Sequence, residues 1–522
     1  MGNVQPPVTQ YGQPAGFYPV ARAVPTLVPS LAGASSSLAS SPAQMPFMSP
    51  GNAPPRLINT FQSPAGHPVQ VYLLKNGHRV VIEQTRDDIV SLRTFINAGS
   101  VNENPVYKSA LYSRTGVPSG LAHLDEHCHF LKTQHYPQKN TWVQATENLG
   151  ARLNASTGHE LIQHELTFNK EVLMPMIRQH GESVLHSFYD PNAIRQEITN
   201  VLNEAQESIH DPDQQVNSKI WELLFERSGF QSLGTRKDVL NSTAQDLTRF
   251  FQTFYRPTQM MTVISGNIDP AATLSAINRE FSANPARSAP PNNAALQVAL
   301  GPTEIRHATI YNPKLSAHSI VSLGFPGPDL ENYRDRAAVE VLLNLLGSGP
   351  LSTLQQLKDT LVDPKTGQKA IHAVDISLEP MKKAGAAGVY LQAQPGSEQL
   401  VSQAVLNLLQ GLQQNPVAIR ELEQTKNQII YGFEKGLNDV DVRTMLMGME
   451  MYTGKADKML PQYYLNYQQL IKNVTPADVM RVAQRYLNPA RYALVYGLPG
   501  RAQADSGNRS NYYAGWVPGG TL

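Results

Sequence analysis

The chain has very little cysteine, no long apolar run and almost no net charge. Its single cysteine, Cys128, excludes an intramolecular disulfide and is typical of a reducing compartment. Without a run of 18 or more apolar residues, we expect no membrane-spanning helix. Lysine and arginine (43) balance aspartate and glutamate (42), so nothing indicates a nucleic-acid partner. We therefore expect a cytoplasmic protein, with export through an atypical leader as the alternative.

The length and composition predict two domains with unstructured segments around them. A chain of 522 residues that is 41% hydrophobic can fill two sizeable cores. Residues 1–55 are rich in Pro, Ser and Ala with few charges, which is typical of a disordered leader. A Pro- and Asn-rich stretch at 285–300 predicts a linker, and residues 501–522 a flexible tail. The two domains would then span 56–284 and 301–500.

One short segment carries the features of a metal site. His123 and His127 are four residues apart, so on a helix they share a face, and Glu126 lies beside it. Two imidazoles in this arrangement can bind Zn²⁺ while the carboxylate reaches a nearby water. The neighbouring Cys128 is expected to be a small buried residue, since it points away from that face. A third ligand is required.

The segment from Asp190 to Glu204 predicts the helix that supplies this ligand. Asp190 is a suitable N-cap with proline in the first turn, and apolar residues recur at helical spacing. Glu197 and Glu204 are seven residues apart and therefore point in the same direction. A solvated flank is the alternative position for both, and Glu207 is the alternative ligand.

These residues together resemble the M16 (pitrilysin, or inverzincin) metallopeptidases. That family has the same H-x-x-E-H order. In both, 76 residues separate the second histidine from a glutamate, and another glutamate lies seven residues before that one. The segments 150–157 and 254–266 resemble a strand and a later segment of the branch that contains mitochondrial processing peptidase. The resemblance covers residues from about 60 to 500.

The resemblance implies a fold and a set of roles. Each half would be a mainly antiparallel sheet covered by helices, a metallohydrolase-like α+β architecture, and the two halves would enclose a cavity. One Zn²⁺ per chain would be held by His123, His127 and Glu204. Glu126 would act as general base, and Glu197 would orient a ligand or support the base. A peptide substrate would bind in an extended conformation along the strand that contains Asn154, Ala155 and Ser156.

An internal repeat independently predicts two similar halves. Residues 241–257 align with residues 473–489 at an offset of 232, with six identities in 17 positions. The same offset carries the metal motif to Gln355, Lys358 and Asp359, which do not form a zinc set. We therefore expect metal in the first half alone.

The second half departs from the family at two substrate-contacting positions. Alignment places Lys358 where many members have an arginine, and His372 or Ala373 where they have a tyrosine. A partner subunit could supply these groups, so we expect a homodimer or a heterodimer with another M16-like chain. A non-catalytic scaffold or assembly subunit stays open as the alternative to a zinc endopeptidase or oligopeptidase.

Overall fold

The computed structural model describes residues 54–103, 117–225, 233–284, 301–349, 352–453 and 460–500. The predicted linker, the tail and nearly all of the leader lie outside these ranges. The first half contains strands β1 Arg56–Gln62, β2 Pro68–Leu73, β3 Arg79–Gln84, β4 Ile89–Ile96, β5 Arg152–Thr157, β6 Ile162–Asn169 and β7 Met260–Gly266. Its helices are α1 Leu121–Cys128, α2 Thr141–Glu147, α3 Leu173–Leu185, α4 Pro191–His210, α5 Pro212–Phe225, α6 Arg236–Asn241, α7 Ala244–Phe254 and α8 Pro270–Phe281.

The second half is built from the same kinds of element. Its strands are β8 Arg306–Asn312, β9 Ser319–Gly327, β10 Ile371–Pro380, β11 Gly385–Ala393 and β12 Ala493–Pro499. Its helices are α9 Tyr333–Gly347, α10 Thr353–Thr360, α11 Glu398–Gln414, α12 Ile419–Gly436, α13 Val440–Thr453, α14 Gln462–Lys472 and α15 Pro476–Tyr486. The α+β class predicted from the sequence is confirmed.

The two sheets have the same topology. The first runs β1-β2-β3-β7-β4-β6-β5, and all its pairs are antiparallel except β3 with β7. The second, taken from the opposite edge, runs β8-β12-β9-β11-β10, again with one parallel pair, β8 with β12. It therefore repeats the first sheet without β1 and β2. Strand β5 lies at one edge of the first sheet.

The internal repeat corresponds to a pair of capped helices. Thr243 begins α7 and Thr475 begins α15, and each forms a reciprocal capping box with the aspartate three residues later, Asp246 or Asp478. Each helix is followed by a central strand of its sheet, β7 or β12. Two of the six identities between the halves are thus the residues that begin the same helix.

The offset of 232 does not locate the counterpart of the metal helix, because insertions shift the register between the two halves. It points into α10, whereas the order of elements places α9 where α1 stands, as the first helix after the equivalent strand. The cause is loop length, because 24 residues separate β4 from α1 but only five separate β9 from α9. In α9, the buried Arg336 pairs with Glu450 at 2.6 Å. Buried Glu340 accepts hydrogen bonds from Tyr463, at 3.0 Å, and from Tyr467.

Each half contributes one helix to the sheet of the other. Helix α5 packs against β9 and β12, and helix α13 packs against β4 and β7. Glycines allow this close approach: a Cβ on Gly448 of α13 would lie 2.1 Å from the ring of Phe95. One hydrophobic core therefore contains residues of both halves. A cavity of about 360 Å³ also lies between the halves, lined by residues that include His67, Asp87 and Arg443.

Candidate metal centre

Helix α1 presents one polar face and one buried apolar face. Leu121, Leu124 and Cys128 are at most 2% exposed and belong to the core of the first half. The burial of Cys128 agrees with the interpretation of this residue as a small core side chain. His123 and His127 lie on the opposite face, with their rings edge to face and centroids 4.6 Å apart. The packing of the apolar side therefore determines where the two imidazoles point.

Helix α4 brings two carboxylates to this face. The side chain of Asp190 caps the helix by accepting from the backbone N–H groups of Asn192 and Ala193, as predicted. Buried apolar residues, among them Ile198 and Val201, pack α4 against the core. Glu197 and Glu204 then face α1 across the interhelical contact.

His123, His127 and Glu204 form a compact set of ligand atoms. The two Nε2 atoms are 3.2 Å apart, and the Glu204 carboxylate lies 3.4 Å from His127 Nε2 and 3.8 Å from His123 Nε2. Tetrahedral zinc with ligand bonds of about 2.0–2.1 Å requires its donor atoms to be about 3.4 Å apart. The spacing and the donor types therefore fit Zn²⁺. Within the described ranges this is the one group of three His, Cys, Asp or Glu side chains with such spacing.

Glu197 contacts the cluster without belonging to it. Its Oε1 accepts a hydrogen bond from His127 Nδ1 at 2.9 Å, and its Oε2 accepts from Asn200 Nδ2 at 3.1 Å. This bond directs the Nε2 lone pair of His127 toward His123 and Glu204. A carboxylate in this position orients a ligand imidazole and raises its basicity. Glu207, the alternative ligand, is exposed and is not part of the cluster.

The two histidines differ in their electrostatics. Burial and the neighbouring His127 lower the pKa of His123 to about 4. Burial also acts to lower the pKa of His127, but hydrogen bonds to Glu197 and Glu204 outweigh it and raise that pKa to about 10. For Glu204, burial acts to raise the pKa, but the hydrogen bond from His127 and the charges of His123 and His127 together outweigh it, so its pKa is lowered. In the metal-free cluster His127 is therefore the ligand that holds an additional proton.

Glu126 has the environment of a general base. It is 8% exposed, and burial raises the pKa of its carboxyl, against the nearby His127 and Thr157, which lower it. Thr157 Oγ1 donates a 2.6 Å hydrogen bond to Glu126 Oε2. The contact with Thr157 was not predicted. The alternation of side chains along β5 could have indicated it, because residues 153, 155 and 157 share one face of the strand.

A buried polar group behind α1 was also missed. Asp125 is fully buried and accepts a 2.6 Å hydrogen bond from the hydroxyl of Tyr189. One oxygen of Asp125 lies 3.3 Å from His129 Nε2, and the His129 ring stacks on Tyr255. This network anchors the back of the helix, directly opposite its ligands.

The predicted substrate-binding residues divide into two groups. Asn154, Ala155 and Ser156 lie in β5 at the edge of the sheet, and Thr157 of the same strand reaches Glu126. Lys358 is half-buried in α10. His372 is exposed at a bulge near the start of β10. Within the part of the chain that the structure describes, neither Lys358 nor His372 forms a hydrogen bond or ion pair with the metal cluster.

Comparison with known proteins identifies the family. Residues 79–232 match the family model described as insulinase (peptidase family M16), and residues 241–429 match the one described as the peptidase M16 inactive domain. The two matches together cover more than half of the chain. The chain belongs to the M16 peptidase family. Its metal cluster lies within the first match, and the described part of the second half, which contains no such cluster, lies largely within the second.

Individual M16 proteins are similar over most of the chain. The beta subunit of mitochondrial-processing peptidase from Lentinula edodes is 24% identical over 449 residues, which cover 81% of this chain and 89% of that protein. An uncharacterized zinc protease of Mycobacterium leprae is 25% identical over 389 residues, covering 73% and 82%. The crystal structure of a protease from Helicobacter pylori has the same fold, with a TM-score of 0.73 at 18% identity, covering 84% and 100%. None of the described helices of this M16 chain is long and apolar enough to cross a bilayer.

Proposed function

We propose that this M16 chain is a zinc endopeptidase or oligopeptidase that hydrolyses unstructured peptides. The observation that carries the proposal is the spacing of the donor atoms of His123, His127 and Glu204, which fits tetrahedral zinc. Zinc bound there would polarise a scissile carbonyl and acidify a water molecule. The relatives named as zinc proteases support the same conclusion.

The side chains of this chain carry the proton transfers. Glu126 accepts a proton from the attacking water and delivers it to the leaving amine. Its raised pKa suits both directions of transfer, because the carboxylate is more basic than an exposed glutamate. Glu197 keeps His127 oriented through the 2.9 Å hydrogen bond to Nδ1. Thr157 holds the base in place through its hydroxyl.

Strand β5 is the proposed docking edge for the substrate. Among the described strands it is the terminal one of its sheet, so an extended peptide could pair with its outer edge. Asn154, Ala155 and Ser156 would line this peptide, and the hydrogen bond of Thr157 to Glu126 supports a scissile bond close to that base. An extended conformation favours unfolded peptides over compact proteins as substrates.

We infer that a second subunit completes the site. Lys358 and His372 stand where other M16 members are expected to have an arginine and a tyrosine. A homodimer or a heterodimer with another M16-like chain would supply such groups in trans, and the relatives named as subunits support this arrangement. Mixing the chain with candidate partners should then raise peptide turnover above that of either chain alone.

A peptide-hydrolysis experiment tests the proposal. Wild type, Glu126→Gln, Glu204→Ala and the control Glu207→Gln are incubated with an unstructured peptide library, with and without a chelator, and their zinc content is measured. Wild type and Glu207→Gln should cleave and should be stopped by chelation. Glu126→Gln should keep zinc without cleaving, and Glu204→Ala should lose zinc. Absence of cleavage by the zinc-loaded wild type, alone and with candidate partners, would favour the scaffold function instead.

A further inference from the structure

A buried carboxylate outside the metal cluster caps the helix that carries the two histidines. Glu103 is 2% exposed. Its Oε2 accepts from the backbone N–H of Gly120 at 2.7 Å, and its Oε1 accepts from that of Ala122 at 2.6 Å. Both donors belong to the N-terminal end of α1, which is 17 to 19 residues further along the chain.

Helix α1 has no means of capping itself. The first N–H groups of a helix have no acceptor within the helix. The N-cap residue here is Gly120, which has no side chain and lies in the left-handed region at φ 81°. A Cβ at this position would be 2.7 Å from the carbonyl oxygen of Leu233 and 2.9 Å from Val239 Cγ2. A Ser or Asp cap therefore cannot fit, whereas α4 and α7 are capped by their own N-cap side chains.

The hydrogen bonds from α1 oppose the effect of burial on the Glu103 carboxyl. Burial raises its pKa to about 8, although the N–H groups of Ala122 and Gly120 act to lower it. Water is excluded from this end of the helix, because Leu121 and Ala122 are fully buried. Loss of the carboxylate would leave two N–H groups without a partner in an apolar environment, which favours unwinding of the first turn.

We propose that Glu103 is a positioning residue for the metal site, which it controls by fixing the first turn of α1. This rests on the proposed zinc function. His123 directly follows Ala122, so the ligand is one residue away from an N–H group that Glu103 holds. Helix α1 has only eight residues, and a displacement of its first turn moves His123 relative to His127 and Glu204. The carboxylate also interacts favourably with the positive end of the helix dipole.

The test compares zinc binding in two variants of Glu103 and one control. Glu103→Gln keeps the shape but replaces one acceptor with an amide NH₂ that faces a donor. Glu103→Asp is the milder change, since it keeps the charge and loses one methylene of reach. The matched control is Glu340→Gln, which alters a buried carboxyl of α9 in the second half that is likewise held by two hydrogen bonds. Zinc affinity is measured by competition with a chromophoric chelator, and metal-free unfolding is followed in parallel.

We expect Glu103→Gln to weaken zinc binding by on the order of ten-fold or more, as for other groups that orient metal ligands. Glu340→Gln should leave zinc affinity unchanged even if it lowers stability equally. The d–d absorption of the Co²⁺-substituted protein gives a second readout, which should change in Glu103→Gln or in Glu103→Asp and stay constant in the control. If Glu103→Gln does not fold, the affinity and spectrum of Glu103→Asp decide.

The outcomes separate the two proposals. A wild type that binds no zinc would overturn the zinc function itself and, with it, the role of Glu103. A wild type that binds one zinc per chain, with the same affinity and Co²⁺ spectrum in the Glu103 variants, would overturn the positioning role alone.

Discussion

Zinc binding should release a proton from His127. In the metal-free protein the hydrogen bonds to Glu197 and Glu204 raise the pKa of His127 to about 10, while burial lowers that of His123 to about 4. The pKa of Glu204 is lowered. Between about pH 5 and 9, His127 is thus the ligand that carries a proton. Zinc requires the lone pair that this proton occupies.

The expected magnitude follows from these values. Binding releases one proton from the ligands, so the zinc association constant rises about ten-fold for each pH unit, or about 1.4 kcal/mol. Competition between protons and zinc determines the direction of this pH dependence. As the pH falls, protons compete more strongly for His127 and the zinc affinity falls. Above the folded-state pKa of about 10, this competition ends.

Calorimetric titration in buffers of different ionisation enthalpy measures the released protons. A pH near 6 is suitable, because a coordinated water that ionises near pH 7 then contributes little. Glu197→Gln keeps an acceptor for His127 Nδ1 but removes a charge that raises the pKa of His127. The number of protons released on zinc binding at pH 8 should therefore fall below one. Glu182→Gln is the matched control, since Glu182 pairs with His135 at 2.7 Å outside the cluster.

Two results would contradict a protonated His127. One is a proton release near zero at pH 6, and the other is a zinc affinity that stays constant from pH 6 to 8. Either result would mean that His127 is neutral in the metal-free protein. The two carboxylates would then not hold a proton on the imidazole.

Two further predictions concern the base and the contact between the halves. Thr157→Val removes the hydroxyl that lowers the pKa of Glu126, so the acid limb of the kcat/KM profile should move to higher pH. Thr157→Ser keeps a hydroxyl and is the control that should restore the limb. An unchanged acid limb in Thr157→Val would contradict the contact. Arg443→Met removes the guanidinium 3.3 Å from the fully buried Glu83 and should cost about 3–5 kcal/mol in urea unfolding. The double variant with Glu83→Gln should recover part of this loss, and a cost below about 1 kcal/mol for Arg443→Met alone would be inconsistent with a buried ion pair.

The two pairs of residues at the metal cluster could be predicted because each pair is local, and the resemblance to the M16 family joined the two pairs. His123 and His127 need only the period of a helix to share a face, and Glu197 and Glu204 need only two turns. The N-cap at Asp190 is likewise a local signal, and the structure contains it. The two-half architecture was visible because α7 and α15 begin with the same capping box.

The contacts that the sequence left hidden join segments far apart in the chain. Thr157 is 31 residues from Glu126, Tyr189 is 64 residues from Asp125, and Glu103 is 17 residues from Gly120. No periodic pattern connects such positions. A fixed offset likewise cannot locate the counterpart of α1, since it does not account for loops of different length in the two halves.

The sequence by itself determined which residues share a face on each helix and that the chain contains two related halves. The tertiary structure decided which faces meet. It brought α4 against α1, directed Glu103 to a helix end that Gly120 cannot cap, and exchanged α5 and α13 between the sheets. The physical reason is that helical and strand periods depend on neighbouring residues, whereas the meeting of two faces depends on the burial of apolar surface across the whole fold.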